Sequence, residues 1–237
     1  LLRDYLDSIA VLILLEPNLS MAIVVGFLGG LVLFTSGAKI GHVILLGCVA
    51  GILGYHQIRD AQYRLARVAT YFNPGDATAD ANFQIHQSLV GIGSGGIFGT
   101  GFGAGQQKLG YLPYAYSDFL FSTIGEEWGF LGVLVVVALF AIFCWLGFRI
   151  ARTAADPFGQ YLAVGLTATV GLTAFLHMAV SLGMMPTTGL TLPFMSYGRS
   201  SQVISLLGTG ILINIGRLRG RPAPQKHPRD DRMKGGA

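Results

Sequence analysis

Five long runs without Asp, Glu, Lys or Arg constrain this chain more than any other feature. They cover residues 19–36, 40–55, 128–148, 160–184 and 201–215. A helix needs roughly 20 mostly apolar residues to cross the hydrocarbon core of a bilayer, which is about 30 Å thick. The third run has a helical lead-in from Phe119, and a shorter run at 9–15 is a candidate end of a further span. The sequence therefore predicts an all-α fold, a polytopic transmembrane helix bundle.

The composition supports this class of protein. Charged residues make up 12% of the chain and hydrophobic residues 52%, and the mean hydropathy is +0.57. A soluble enzyme is disfavoured because soluble domains carry about 25% charged residues. The two cysteines are too few for a secreted disulfide scaffold. The chain begins with Leu1 rather than Met, from which we expect a preceding N-terminal part, with a cleaved signal peptide as the alternative.

The Lys and Arg residues of the short connections and of the C-terminal segment sort onto one side of the predicted membrane. The basic residues of the long segment 56–118 do not count against this, because long loops translocate regardless of charge. Lys39 lies in one short connection, Arg149 and Arg152 lie in another, and the segment after the last run is rich in both residue types. This side is expected to be cytoplasmic, because Lys and Arg are enriched in cytoplasmic connections. Residues 56–118 and 185–200 then face outward.

Two domains are expected on this basis. Residues 1–217 form the membrane domain. Residues 218–237, which are rich in charge and proline, form a basic, disordered cytoplasmic tail near anionic lipid headgroups.

The outward segment 56–118 is unusually long for a connection. Loops longer than about 15 residues are usually functional or disordered, and its aromatic and aliphatic residues favour a large structured extracytoplasmic loop. Eight of the fifteen residues at 91–105 are glycine. These glycines permit tight turns that pack loop backbone against helix ends; the alternative is a cradle of backbone amides for an anionic headgroup. The G-x-G-x-x-G at 91–96 does not predict a dinucleotide site, because no βαβ unit surrounds it.

Three carboxylates follow the glycines. Asp118 lies where the loop becomes a helix, so it is either a helix N-cap or a catalytic or binding carboxylate at the membrane surface. Glu126 and Glu127 lie about two turns further into the apolar helix, where ionisable residues are costly and by default indicate function. The alternative is that one of them pairs with a loop arginine.

The link at 185–201 is expected to be rigid and irregular, because it holds two prolines and two glycines. Its hydroxyl residues, which include Ser196, and Arg199 are expected on the same side as Asp118. His177 lies on the preceding helix. A lone histidine there is more often a hydrogen-bonded packing residue than a ligand.

Together, these motifs resemble the SEDS family of RodA- and FtsW-like proteins. The matching segments are YLP-x-A-x-SDF-x-F-x-x-IGEE-x-GF at 111–130, PTTGLTLPFMSYG at 186–198, the arginine-rich 63–74 that ends in FNP, F-Q-x-x-Q-S at 83–88, GIGSGGIFGTGFG at 91–103 and EPNL at 16–19. The resemblance covers about residues 8–217, and the GLTLPF wording is more similar to the division-type FtsW branch than to the RodA branch. The chain departs from the family at Arg199, where glycine is usual, at His177, where asparagine is common, and at Tyr114, where an acidic residue is frequent.

The resemblance implies a multi-span peptidoglycan glycosyltransferase of the bacterial cytoplasmic membrane, of which this chain would lack the first spans. Its substrate would be lipid II, a disaccharide-pentapeptide on undecaprenyl pyrophosphate, polymerised on the extracytoplasmic side. Its partner would be a class B penicillin-binding protein, and no nucleic-acid partner is expected. Asp118 matches the essential loop aspartate of the family, and Arg67 matches its arginine.

The expected mechanism uses Asp118 as the general base that takes a proton from the acceptor sugar hydroxyl. The pyrophosphate leaving group needs positive charge nearby. The expected substrate-binding residues are Arg67, Lys108, Gln87, Arg64, Arg199, Ser196 and Glu126. The alternative for each arginine is a purely structural salt bridge within the loop. The chemistry requires no cofactor, although a divalent cation, Mg²⁺ or Mn²⁺, is a candidate for neutralising the pyrophosphate. Two rival functions remain open: a flippase for a lipid-linked precursor, and a non-catalytic scaffold for the penicillin-binding protein.

Overall fold

The computed structural model describes residues 19–37, 80–109, 112–113 and 115–218, together with helical positions Gly41, Cys48 and Gly51. Every longer regular element in these ranges is an α-helix: α1 (Leu19–Thr35), α2 (Asp80–Gly95), α3 (Leu120–Arg152), α4 (Pro157–Ser181) and α5 (Arg199–Arg217). A short 3₁₀ turn spans Gln107–Leu109. The prediction of an all-α bundle is therefore confirmed. Most of the second predicted span, the break at 16–18, the arginine-rich stretch 63–74 and the tail from residue 219 lie outside the described residues.

Helix α3 contains both the predicted lead-in and the predicted span. The two parts meet at Gly129, whose φ of 66° and ψ of −161° interrupt the helical geometry. At 1.5 Å per residue, the part from residue 130 to residue 152 is roughly 34 Å long, enough for the core of a bilayer. Helix α4 is the other described helix that is both long and apolar enough to cross a membrane.

Small residues let α3 and α4 pack closely. A Cβ added to Gly147 of α3 would overlap the side chain of Thr167, and one added to Gly171 of α4 would lie 2.6 Å from Cys144 Sγ. Close approach through small residues is how membrane helices gain van der Waals contact, because lipid chains are as apolar as the side chains. The main core cluster lies around this contact and comprises Phe121, Val136, Phe140, Val170, Ala174 and Leu192.

Helix α2 runs alongside the first part of α3 and in the same direction. The Ser122 hydroxyl donates to the Ser88 carbonyl at 2.7 Å, and the Ser88 hydroxyl donates to the Ser181 carbonyl of α4, also at 2.7 Å. The glycines from residue 91 to residue 95 are therefore helical, not a set of turns as predicted. Glycine lowers helix propensity by about 1 kcal/mol, and this helix forms because its glycines allow backbone contact with α3.

Candidate functional site

The residues after α2, here called the glycine loop (residues 96–109), replace the helical hydrogen bonds that α3 loses at its kink. In an uninterrupted helix the Phe130 and Leu131 N–H groups would donate to the carbonyls of residues 126 and 127. Instead they donate to Gly96 O at 2.9 Å and Ile97 O at 3.3 Å. The freed carbonyls of residues 126 and 127 accept from the N–H groups of Thr100 at 2.9 Å and Gly101 at 3.1 Å. The kink and the glycine loop thus satisfy each other's backbone groups.

The two glutamates of α3 hold the returning half of the glycine loop. Glu126 Oε1 accepts from Gln106 N at 2.7 Å, and Glu126 Oε2 accepts from Gln107 N at 3.2 Å. Glu127 accepts from Gly103 N at 3.1 Å and pairs with the Lys108 ammonium. Both glutamates are buried, and a buried carboxylate requires such partners.

These contacts change the roles expected for two predicted substrate-binding residues. Glu126 uses its carboxylate to position the glycine loop, and Lys108 is paired with Glu127. The expectation that a glutamate pairs with a loop cation is confirmed, but the cation is a lysine rather than an arginine. The alternative prediction, a cradle of backbone amides for an anionic headgroup, is excluded for residues 100, 101, 103, 106 and 107. Their N–H groups all donate to α3.

Asp118 is not a helix cap. The N-cap position of α3 is Phe119, and no side chain caps this end of the helix. The Asp118 side chain is half-buried, and its carboxylate accepts no hydrogen bond from any residue in the described ranges. Among the described residues, the carboxylate therefore has no capping or hydrogen-bonding role that would conflict with the catalytic interpretation.

The link between α4 and α5 (residues 182–198, here the α4–α5 link) docks onto the backbone just before Asp118. The Ser196 hydroxyl donates to Ser117 O at 2.7 Å and accepts from Leu192 N at 2.9 Å. Tyr197 N donates to Tyr116 O at 2.9 Å. Ser196 is buried and both of its bonds are internal, so the structure gives it a positioning role in place of the predicted substrate contact.

The α4–α5 link is irregular, as predicted. Gly183, Gly189 and Phe194 have positive φ angles of 68°, 69° and 66°. A non-glycine residue pays about 1–2 kcal/mol for that conformation, and Phe194 is held in it by packing against the main core cluster and by a 5.7 Å ring contact with Phe143. The link also reaches the aspartate, because a Cβ added to Gly189 would lie 4.0 Å from Asp118 Oδ2.

His177 of α4 joins the α4–α5 link to the start of α3. Its Nε2 accepts from Phe121 N at 3.5 Å, and its Nδ1 lies 2.8 Å from Leu190 O. Because Nε2 accepts, the ring proton belongs on Nδ1, where it is donated to the carbonyl. The side chain is buried, which confirms the interpretation of His177 as a hydrogen-bonded packing residue.

The remaining predicted residues are placed as follows. Arg199 is exposed at the first position of α5, and its guanidinium lies 3.5 Å from the Tyr197 hydroxyl, which puts it at the Asp118 end of the bundle. Gln87 is half-buried on α2, one residue before Ser88. Arg64 and Arg67 lie outside the described residues. In the part of the chain that the structure describes, no three His, Cys, Asp or Glu side chains are grouped to hold a metal ion.

The sequence pattern of the FtsW/RodA/SpoVE cell cycle proteins matches residues 4–220. The chain belongs to this family. A Geobacter sulfurreducens family member, a probable peptidoglycan glycosyltransferase FtsW, is 42% identical over 217 residues, which are 91% of this chain and 58% of the relative. The stage V sporulation protein E of Bacillus subtilis is 37% identical over 212 residues, covering 89% of this chain and 57% of the relative.

Two solved family structures share this fold. A chain from a peptidoglycan synthase complex superposes with a TM-score of 0.73 and 27% identity, covering 90% of this chain and 60% of that one. The rod shape determining protein RodA of Thermus thermophilus superposes with a TM-score of 0.59 and 28% identity, covering 90% of this chain and 54% of RodA. This FtsW/RodA-family chain therefore spans between half and two thirds of the length of the relatives that it matches.

Proposed function

We propose that this family member is a peptidoglycan glycosyltransferase that polymerises lipid II, with Asp118 as its general base. The observation that carries the proposal is the Asp118 carboxylate, which is half-buried and not used as a helix cap. Three elements fix its surroundings: the start of α3, the α4–α5 link and His177. The name of the Geobacter relative supports the same reaction class.

The reaction is an inverting displacement. Asp118 accepts the proton of the GlcNAc 4-hydroxyl as that oxygen bonds to C1 of the donor MurNAc. The bond from C1 to undecaprenyl pyrophosphate breaks with its electron pair, and the α linkage becomes β. One base suffices, and no covalent enzyme intermediate forms. The polyprenyl chain stays in the lipid beside the spans.

Positive charge must stabilise the departing pyrophosphate. Arg199 is the described candidate, because it is exposed and lies at the Asp118 end of the bundle, next to the positive end of the α5 dipole. Arg67 and Arg64 complete the proposed set, and Gln87 is proposed to bind the sugar or peptide part of the substrate. Lys108 is a weaker candidate, because Glu127 already neutralises it. The described donor groups do not form a cation site, so a requirement for Mg²⁺ or Mn²⁺ stays a prediction, tested by adding a chelator.

The location of the site follows from the charges of α3. Arg149 and Arg152 lie in its last turns, and Asp118 precedes its first residue. Because basic residues favour the cytoplasmic end of a span, we place the active site on the extracytoplasmic side of the bacterial cytoplasmic membrane. A class B penicillin-binding protein is the proposed partner, consistent with the likeness to a chain from a peptidoglycan synthase complex.

The test is the Asp118→Asn substitution in the full-length protein, which is expressed in its native host and purified together with its membrane partner. We expect polymerisation of lipid II to fall at least about 100-fold, since a general base contributes typically about 10²–10⁴-fold. The matched control is Asp156→Asn. Asp156 caps α4 through a 2.9 Å bond from Gly159 N, and asparagine caps a helix as well as aspartate does. Polymerisation by Asp118→Asn at the wild-type rate would show that the base is wrongly assigned.

The rival functions predict different results in liposomes. Glycan formation from lipid II supplied on the outside supports an enzyme, and lipid translocation without glycan supports a flippase. A scaffold would retain its partner without activity, whether or not Asp118 is present. Ionisable residues within a span, such as Glu126 and Glu127, would suit a transport path, but their carboxylates are occupied by the glycine loop.

A further inference from the structure

The tip of the glycine loop lies at the depth where the α3 span begins. Its residues 96, 97, 100 and 101 are hydrogen-bonded to α3 between Glu126 and Leu131, on both sides of the kink at Gly129. The lead-in, residues 120–128, is about 13 Å long at 1.5 Å per residue. The tip therefore lies well below Asp118, at the boundary between the lead-in and the membrane-spanning part of α3.

The side chains at this tip are large, apolar and exposed. The exposed fraction is 63% for Ile97, 81% for Phe98, 86% for Phe102 and 54% for Trp128. Phe102 meets Trp128 edge to face, with 6.3 Å between the ring centroids. Residues 96–105 contain no charged side chain. Leaving such a surface in water is costly, at about 25 cal/mol for each Å² of apolar area.

This surface continues onto an exposed apolar side of α3. A groove of about 370 Å³ lies between the tip and the helix, and its lining includes Phe98, Phe102, Trp128, Leu131 and Val135. Glu127 is the one charged residue in this lining, and it is paired with Lys108. Below it, the side chain of Leu134 is also exposed along the helix. The tip and the span thus form one continuous apolar surface, with the tip at its upper edge.

We propose that Ile97, Phe98, Phe102 and Trp128, here called the aromatic tip, insert into the headgroup–acyl boundary of the bilayer and anchor the glycine loop there. Trp is enriched at this boundary, because its ring is apolar and its N–H group is polar. Phe and Leu supply the apolar surface that interfacial helices bury there. The glutamate contacts fix the loop to α3, so the anchor also fixes the height of the Asp118 site above the lipid. The occupant of this surface is bilayer lipid, since the surface continues that of the membrane-spanning part of α3.

The test measures the depth of the tip in nanodiscs that contain the whole protein. Every native cysteine of the whole protein, Cys48 and Cys144 among them, is replaced by alanine, and a single cysteine at Phe98 or Phe102 carries an environment-sensitive fluorophore. Quenching is measured with a nitroxide at carbon 5 of the lipid chain and with aqueous iodide. The control site is Tyr116, which is also exposed but lies four residues before α3.

Labels at Phe98 and Phe102 should be quenched at least severalfold more by the lipid nitroxide than by iodide, and the label at Tyr116 should show the reverse preference. Iodide quenching of the tip labels would overturn the proposal, and so would shielding from both quenchers, which indicates a protein partner. A label-free measurement repeats the test: every tryptophan of the whole protein other than Trp128, Trp145 among them, is replaced by phenylalanine, and Trp128 is quenched by brominated lipid. None of these readouts depends on glycosyltransferase activity.

Discussion

At the scale of single residues, Gly95 marks the closest contact between α2 and α3. A Cβ added there would overlap Gly125 O and lie 2.9 Å from Glu126 O, whereas a Cβ added to Gly93 would meet nothing within 4 Å. Backbone atoms cannot move aside as the end of a side chain can. Gly93 and Gly95 of the same helix therefore differ: Gly95 is required for packing against α3, and Gly93 is not.

We expect Gly95→Ala to destabilise the protein by about 1–3 kcal/mol, the typical effect of inserting a group into a packed contact. Gly93→Ala is the matched control, and it should be neutral or stabilise by up to about 1 kcal/mol through helix propensity. The thermal midpoint of the detergent-solubilised protein measures both. Equal midpoints for the two variants would mean that α2 does not contact α3 at Gly95.

At the scale of elements, two irregular segments, the α4–α5 link and the glycine loop, are held in place by buried polar groups. The α4–α5 link is attached to the chain before α3 by Ser196, and to α4 by His177. The glycine loop is attached to α3 by Glu126 and Glu127, which belong to α3. Each of the two irregular segments is thus held by a helix.

His177 is expected to act as a positioning residue. His177→Leu removes the donor to Leu190 O and the acceptor for Phe121 N, and an unsatisfied buried group costs about 1–3 kcal/mol. His177→Asn retains a donor near the position of Nδ1 and should recover part of the loss. The thermal midpoint and the kcat of lipid II polymerisation should fall together in the leucine variant, with KM little changed. Wild-type kcat in His177→Leu would exclude this role.

Glu126→Gln tests how the glycine loop is held. A carboxylate accepts from both Gln106 N and Gln107 N, but an amide side chain has only one oxygen to accept with. Hydrogen exchange at these two amides should accelerate by about tenfold, which corresponds to a loss of about 1.4 kcal/mol. The amides of α2 around Ser88 serve as the internal control and should keep their protection. Unchanged exchange at Gln106 and Gln107 would contradict the contacts described for Glu126.

At the scale of the whole molecule, α3 connects two ends of opposite character. Asp118 and the α4–α5 link lie at one end, and Arg149 and Arg152 lie at the other, about 50 Å away at 1.5 Å per residue. Arg149 also lies over the Trp145 ring at 5.6 Å, a contact suited to an aromatic belt at the opposite membrane boundary. This polarity supports the proposed orientation.

The basic tail should be dispensable for catalysis. Truncation after Arg221 is expected to leave the rate of lipid II polymerisation within about twofold of wild type, because the groups assigned to the reaction all precede it, and surface charges act weakly beyond a Debye length of about 10 Å. The assay compares the truncated protein with Asp118→Asn in the same membranes. Loss of turnover on truncation would assign the tail a part in the reaction.

The sequence by itself determined where the apolar helices of the described residues lie, and α3 and α4 are the two of them that are long and apolar enough to cross a membrane. Hydropathy is a sum over neighbouring residues and needs no tertiary partner. The predicted runs at 19–36 and 160–184 therefore agree closely with α1 and α4. The predicted lead-in to the third span also ends close to Gly129, where the helix is broken. The position of Asp118, where the loop becomes a helix, left a helix cap and a catalytic carboxylate both open, and the resemblance to the SEDS family implied the catalytic role.

Only the tertiary structure decided how the polar residues are used. Glu126 receives its donors from residues about twenty positions earlier, and Ser196 bonds to a carbonyl 79 positions away. The α2 helix forms through glycines that by propensity predict turns. Such partners are far away in the sequence and become neighbours only in the folded chain. A sum over neighbouring residues, such as hydropathy, therefore cannot predict them. A buried polar group takes its role from the partner that the fold brings to it.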